Sequence, residues 1–300
     1  MAVGFPLLLY LLGAFGWTWI IGWTAVFHQK STILQNNIWI FLGFAAFGPT
    51  ISAFATTFIV EGPAGMKNLL KRCDYKLIPS EWYFLALFGM PVLLGFTCAM
   101  YVWFGGNPPR TTPTSFFISL LLSIPVGSLG EEFGWRGILI PALQDILDSW
   151  VLNINRAEKD NEIEINREYL LIESNEIEMP SSQWKWSPLV ATFFVGVVWA
   201  LWHLPSFYID ALSQNHCNFG QFVIQEILYS VFYTWMSNNT SYSILGAIIM
   251  HASINSFGGL VPWGTKSFPS FLAMPNSIQT VIMLAGKNAS SNLRPKGWVL

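Results

Sequence analysis

The chain has 300 residues, of which 53% are hydrophobic and 11% are charged, and its formal net charge at pH 7 is −2. Soluble domains carry about 25% charged residues, so the composition excludes an ordinary soluble enzyme and indicates a membrane protein. We expect the lipid bilayer as its surroundings and no nucleic acid as a partner.

Apolar runs of spanning length follow one another along the whole chain. They cover residues 5–27, 38–60, 82–104, 116–143, 189–208, 219–235, 243–261 and 268–284. A membrane helix needs about 20 apolar residues, and these runs lack the two-residue alternation of barrel strands. The sequence therefore predicts an all-α fold, a polytopic membrane helix bundle of about eight transmembrane helices, in one domain over residues 1–300. The sixth run is short and contains Glu226, and the eighth is interrupted by Pro275, so about seven helices is the alternative count.

The basic residues predict how the chain is threaded through the membrane. Lys67, Lys71, Arg72 and Lys76 lie between the second and third runs, and basic loops favour the cytoplasmic side. With this loop in the cytoplasm, an even number of spans places both termini there too. One miscounted span would reverse every later segment. The sequence thus predicts an integral, multi-pass membrane protein with cytoplasmic termini.

The segment from about 145 to 186 differs in composition from the rest of the chain. Acidic residues alternate there with isoleucine and leucine, which predicts a soluble insertion between two membrane helices. The periodicity fits either a short strand or a helix at the membrane surface. A solvated acidic loop is the simpler interpretation, and a docking segment for an unknown partner is the alternative.

The fourth apolar run contains three charges close together. Glu131, Glu132 and Arg136 lie where each ionisable group costs at least about 2.5–3.5 kcal/mol, so a functional site is the default explanation. Glu132 and Arg136 are four residues apart, which predicts an ion pair on one helix face. Glu131 points about 100° away and stays available for chemistry. A structural Glu–Arg clamp and a proton or ion relay are the alternatives. Pro125 and Pro141 predict a kinked or broken helix near the charges.

Two later runs each contain one deep histidine. Trp199 precedes His203 by four residues and shares its helix face. His251 and Asn255 have the same spacing, which suits two donors that hold an oxyanion or two ligands that hold a metal. A satisfied core histidine and an interhelical polar clasp are the structural alternatives.

Taken in chain order, Glu-Glu-x-x-x-Arg, aromatic-x-x-x-His and His-x-x-x-Asn resemble the motifs of the CPBP family. These are the CAAX prenyl endopeptidases and their bacterial and archaeal relatives, which include proteins linked to bacteriocin processing and self-immunity. The resemblance directly covers about 130–255. It departs from the family pattern at Trp199, where the family usually has phenylalanine, and in the long acidic insertion.

The resemblance implies an intramembrane endopeptidase of the type II CAAX prenyl kind. It would hydrolyse a peptide bond near the C-terminus of a prenylated or otherwise hydrophobic substrate. Glu131 would be the base, His203 its partner in activating water, and His251 with Asn255 the oxyanion hole. Three further residues would support them: Glu132, Arg136 and Trp199.

The resemblance also raises the question of a metal. The family is commonly catalogued as metallopeptidase, so a divalent ion such as zinc is a further expectation, with Glu131, His203 and His251 as its ligands. The chain has no His-Glu-x-x-His motif. Two other functions stay open beside the enzyme: a non-catalytic membrane protein for bacteriocin self-immunity and a small proton-coupled transporter.

Overall fold

The computed structural model describes residues 4–105, 113–150 and 187–258. Within these ranges the chain forms eight helices and no strand, which confirms the predicted all-α class. The helices are α1 Gly4–His28, α2 Thr32–Ala46, α3 Gly48–Lys71, α4 Ser80–Trp103, α5 113–150, α6 Ser187–Trp202, α7 Phe219–Asn239 and α8 Ile244–Gly258. The predicted span 268–284 lies outside the described residues.

Among the described residues, four helical stretches are long and apolar enough to cross a membrane. They are Gly4–His28, Thr32–Lys71, Ser80–Trp103 and Ser187–Tyr208. Large apolar side chains are exposed along them, such as Ile20, Trp39 and Phe84, and these are the side chains that lipid would cover. The protein is an integral membrane protein, and the described residues do not confirm the full count of about eight spans.

The helix boundaries add detail to the sequence prediction. The span predicted at 38–60 lies within the helical stretch Thr32–Lys71, in which α2 and α3 meet at Phe47, because Pro49 at the start of α3 has no N–H to continue the hydrogen bonding of α2. The predicted kink of α5 takes the form of two π turns, Ile124–Ser128 and Trp135–Leu139, without a break. Helix α5 continues to residue 150, and residues 151–186 of the predicted acidic insertion lie outside the described part.

Helix α5 is the central element of the bundle. It packs against α3 on one side and α8 on the other, while α1 lies along α2 and α3, and α6 packs on α7. Polar bonds join α1 to the helices beside it: Ser52 Oγ donates to the Tyr10 carbonyl oxygen at 2.7 Å, and Thr18 Oγ1 donates to that of Ala45 at 2.7 Å. The charged segment of α5 therefore lies in the middle of the core.

A buried arginine fixes the second π turn of α5. Arg72, directly after α3, donates hydrogen bonds to the carbonyl oxygens of Arg136, Gly137 and Tyr242. A π turn leaves backbone carbonyls without their usual helical partners, and the guanidinium group satisfies two of them. This contact ties the end of α3 to the turn that follows the charged segment.

Candidate active site

The charged segment of α5 is held against the α2–α3 junction by two glycines. A Cβ atom on Gly130 would lie 2.6 Å from the Ala46 carbonyl oxygen, and one on Gly134 would lie 2.8 Å from that of Pro49. Small residues at this four-residue spacing let membrane helices approach closely. Only glycine fits at these two positions, so the close packing fixes the depth and rotation of Glu131 and Glu132.

Glu132 is the centre of a buried charge cluster. Its Oε1 accepts hydrogen bonds from Arg136 Nη1 at 3.1 Å and from His251 Nδ1 at 2.6 Å. The ion pair that the spacing predicts is therefore present, and both partners are buried. The Arg136 guanidinium also stacks on two rings, 4.3 Å from the Trp199 centroid and 3.6 Å from that of Tyr233. Glu132 thus joins α5 to α8 and determines the orientation of His251.

Glu131 faces a different set of neighbours, as the 100° rotation predicts. Its Oε2 accepts hydrogen bonds from Trp199 Nε1 at 2.6 Å and from Trp135 Nε1 at 3.2 Å. The departure from the family pattern at Trp199 has a chemical consequence, because phenylalanine has no N–H to donate. Two indoles on one carboxylate oxygen hold Glu131 in place without neutralising its charge.

His203 lies in the turn directly after α6. Its Nδ1 donates to the Trp199 carbonyl oxygen at 2.9 Å, because a carbonyl can only accept, so Nε2 of the neutral ring is an acceptor. Helix α1 supports this turn: Trp19 Nε1 donates to the Trp202 carbonyl oxygen at 3.2 Å, and Pro205 packs directly on Gly22. The His203 ring lies beside that of Trp199, which also contacts the His251 ring and donates to Glu131, so Trp199 connects all three side chains.

His251 and Asn255 meet above the first π turn of α5. A Cβ atom on Gly127 would lie 2.9 Å from Asn255 Nδ2 and 3.8 Å from His251 Nε2, so both polar atoms face the same point of the backbone. His251 is buried, whereas Asn255 is exposed among the described residues. The pair therefore forms the edge at which the centre opens.

Sequence reasoning missed three residues of this centre. Trp135 has the same four-residue spacing from Glu131 that Arg136 has from Glu132, and that signal could have identified it. Gly127 and Tyr233 carry no local signal, because their importance depends on which helices pack together. The seven residues predicted for the site all lie in or beside one buried cluster. Trp199 is central to it, with its ring 5.6 Å from that of His251 and 6.1 Å from that of His203.

The described residues show no assembled three-ligand metal site. Within the described residues, no group of three His, Cys, Asp or Glu side chains is placed to hold a metal ion. Metal dependence therefore stays a prediction.

Comparison with known proteins agrees with the motifs. Residues 113–257 match the family described as type II CAAX prenyl endopeptidase Rce1-like. This segment runs from α5 to α8 and contains every residue predicted for the site. No curated protein matches the chain. Residues 113–257 of the chain therefore match the Rce1-like type II CAAX prenyl endopeptidase family, the resemblance that the three motifs predicted.

Proposed function

We propose that the protein is an intramembrane endopeptidase that cleaves a prenylated or otherwise hydrophobic substrate near its C-terminus. One observation carries the proposal: Glu131 is buried and held through one oxygen by the indoles of Trp135 and Trp199, and the Trp199 ring contacts those of His203 and His251. Peptide hydrolysis needs a positioned water, a base within reach and donors at the developing oxyanion. The centre offers a side chain for each role.

The first step uses Glu131 and His203 together. A water held between the Glu131 carboxylate and Nε2 of the neutral His203 ring loses a proton to Glu131. Its oxygen then attacks the carbonyl carbon of the substrate. The Nδ1 bond of His203 to the Trp199 carbonyl fixes the tautomer in which Nε2 accepts. The two indoles keep Glu131 from turning away during the transfer.

His251 and Asn255 then stabilise the tetrahedral intermediate. Asn255 Nδ2 donates one hydrogen bond to the oxyanion, and His251 Nε2 donates the second when the ring carries both protons. The Glu132 carboxylate, 2.6 Å from Nδ1, is the counter-ion that such an imidazolium requires. Collapse of the intermediate breaks the C–N bond, and the leaving amine takes the proton from Glu131. The carboxylate is restored for the next cycle.

The substrate class and the membrane orientation belong to this proposal. The centre lies among apolar helices and opens at Asn255, where a lipid-anchored tail could reach it from the bilayer. Cytoplasmic termini remain the expectation from the basic residues, and a partner of the acidic insertion stays unknown. Neither the comparisons nor the described residues favour bacteriocin self-immunity or proton-coupled transport.

The test is cleavage of a farnesylated peptide that ends in a CAAX sequence. Purified protein is incubated with this peptide, and with the same peptide lacking farnesyl, in water enriched in oxygen-18. The proposal predicts one cut near the C-terminus, preference for the farnesylated peptide, and heavy oxygen in the new carboxylate. A parallel sample with EDTA tests the metal expectation. Absence of any product from well-folded protein would overturn the assignment for this substrate class.

A further inference from the structure

One face of α7 is polar although it lies inside the bundle. Glu226, Ser230, Tyr233 and Ser237 follow one another at spacings of four, three and four residues, which places them on a single helix face. They are buried, with exposures of 5%, 0%, 0% and 0%. We call these four residues the α7 polar face.

The polar atoms of this face lack protein partners. Glu226 Oε2, Ser230 Oγ, the Tyr233 hydroxyl and Ser237 Oγ have no hydrogen-bond partner among the described residues. Buried polar groups in proteins are almost always satisfied, by protein atoms or by ordered water. A row of such atoms over three turns of helix is therefore a surface suited to bound water.

The α7 polar face leads to the catalytic cluster. The Tyr233 ring stacks under the Arg136 guanidinium, and the Glu226 carboxyl interacts electrostatically with Glu131, Arg136 and Glu132. Arg136 Nε and Nη2 and Glu132 Oε2 also have no partner among the described residues. The polar row on α7 and the unpartnered atoms of the cluster thus face a common interior region.

The Ser237 end of the α7 polar face points away from the opening at Asn255. Helix α8 follows α7 after a short turn and begins beside Arg72, where Ile244 N donates to the Arg72 carbonyl oxygen at 2.9 Å. The Tyr233 ring near the end of α7 lies 6.1 Å from the His251 ring in the middle of α8, so α8 runs back along α7 and Asn255 lies toward the start of α7. Asn238 and Asn239, at the end of α7, are partly exposed. A hydrophobic tail in the opening would block water from that side but not from the end of α7.

We propose that the α7 polar face carries a file of water that supplies the hydrolytic centre from the membrane surface where α7 ends. The role of this water in hydrolysis rests on the proposed function, whereas the presence of water along the α7 polar face does not. The bonds made and broken stay those of peptide hydrolysis. The file only replaces the water consumed in each cycle.

The hydration is tested by the reactivity of cysteines with Ag⁺, an ion small enough to move through a narrow water file. The native cysteines, Cys73, Cys98 and Cys217, are first replaced by alanine. Ser230→Cys and Ser237→Cys are then compared in intact membranes with Val231→Cys, which is next to Ser230 but turned by about 100°. After Ag⁺ the protein is unfolded, and the remaining thiol is labelled with maleimide.

The proposal predicts loss of maleimide labelling in S230C and S237C and no loss in V231C. Equal protection of all three from Ag⁺ would overturn it. This result does not depend on any substrate, so it separates the file from the proposed function. If S230C and S237C lose maleimide labelling as predicted but the protein cleaves no peptide, the proposed function is overturned and the water file is retained.

The contribution to catalysis is tested at Glu226. Glu226→Gln keeps polar atoms that can hydrogen-bond water, whereas Glu226→Leu removes them and keeps a side chain of similar size. E226L is expected to lower kcat about five- to tenfold with KM unchanged, which corresponds to about 1–1.4 kcal/mol or one hydrogen bond, and E226Q to restore most of it. Equal kcat for E226L and wild type, or a change in KM alone, would show that the file does not supply the reaction.

Discussion

The Glu132–Arg136 pair allows a structural role to be separated from a chemical one. Both side chains are almost fully buried, at 0% and 1% exposure. Removing one partner of a buried pair typically costs about 3–5 kcal/mol, because the other charge stays buried without compensation. We therefore expect Glu132→Gln and Arg136→Met each to lower the free energy of unfolding by about this amount, and the double variant to cost less than their sum.

The two single variants should be equally destabilised, but their cleavage activities should differ. R136M leaves the bond between Glu132 and His251 intact, so the activity per folded molecule should stay near that of the wild type. E132Q keeps a hydrogen-bond acceptor but removes the negative charge that a doubly protonated His251 requires. Loss of one oxyanion donor typically costs about 10²–10³ in kcat, and we expect a loss of that order.

The assay combines thermal unfolding in detergent with peptide cleavage normalised to the folded fraction. Glu81→Gln is the matched control, since Glu81 is exposed at the start of α4. Wild-type stability in E132Q would refute the buried pair. A greater loss of specific activity in R136M than in E132Q would refute the assignment of Glu132 as the counter-ion of His251.

Three further variants or modifications test single contacts. Trp199→Phe removes the 2.6 Å bond to Glu131 and should cost about 1.5–3 kcal/mol of stability while cleavage persists; unchanged thermal unfolding would contradict this. Gly127→Ala places a methyl group 2.9 Å from Asn255 Nδ2 and should lower kcat while the unfolding temperature changes little. A kcat equal to that of the wild type would argue against the oxyanion site. Burial raises the pKa of the Cys73 thiol to about 11, against the opposing charge of the adjacent arginine. Because the thiolate is the reactive form, maleimide labelling of Cys73 should rise about 100-fold from pH 8 to pH 10, and a flat pH profile would contradict the burial.

The contacts within one helix could be predicted from the sequence. The pair of Glu132 with Arg136 follows from a four-residue spacing, and the separate orientation of Glu131 follows from helix geometry. The three motifs also identified the residues that the structure brings together. Local spacing was sufficient for these features because an α-helix fixes the direction of each side chain.

Contacts between helices could not be predicted in this way. Trp199 is 68 residues from Glu131, and their bond depends on how α6 packs against α5. The π turns around the charged segment depend on partners such as Thr50, whose Oγ1 donates to the Leu129 carbonyl oxygen at 2.7 Å. The division at Phe47 has the same origin, because the hydrophobic pattern continues through a break that proline imposes on the backbone.

The role of Glu131 as the base is tested by the cleavage rate of Glu131→Gln in proteoliposomes, with Glu81→Gln as control. The glutamine can still accept both indole hydrogen bonds, so the fold should be kept while the base is lost. We expect a fall of about 10²–10⁴-fold in kcat for E131Q, the usual contribution of a general base, and none for E81Q. A normally folded E131Q protein that cleaves the farnesylated peptide at the wild-type rate would contradict the assignment of Glu131 as the base.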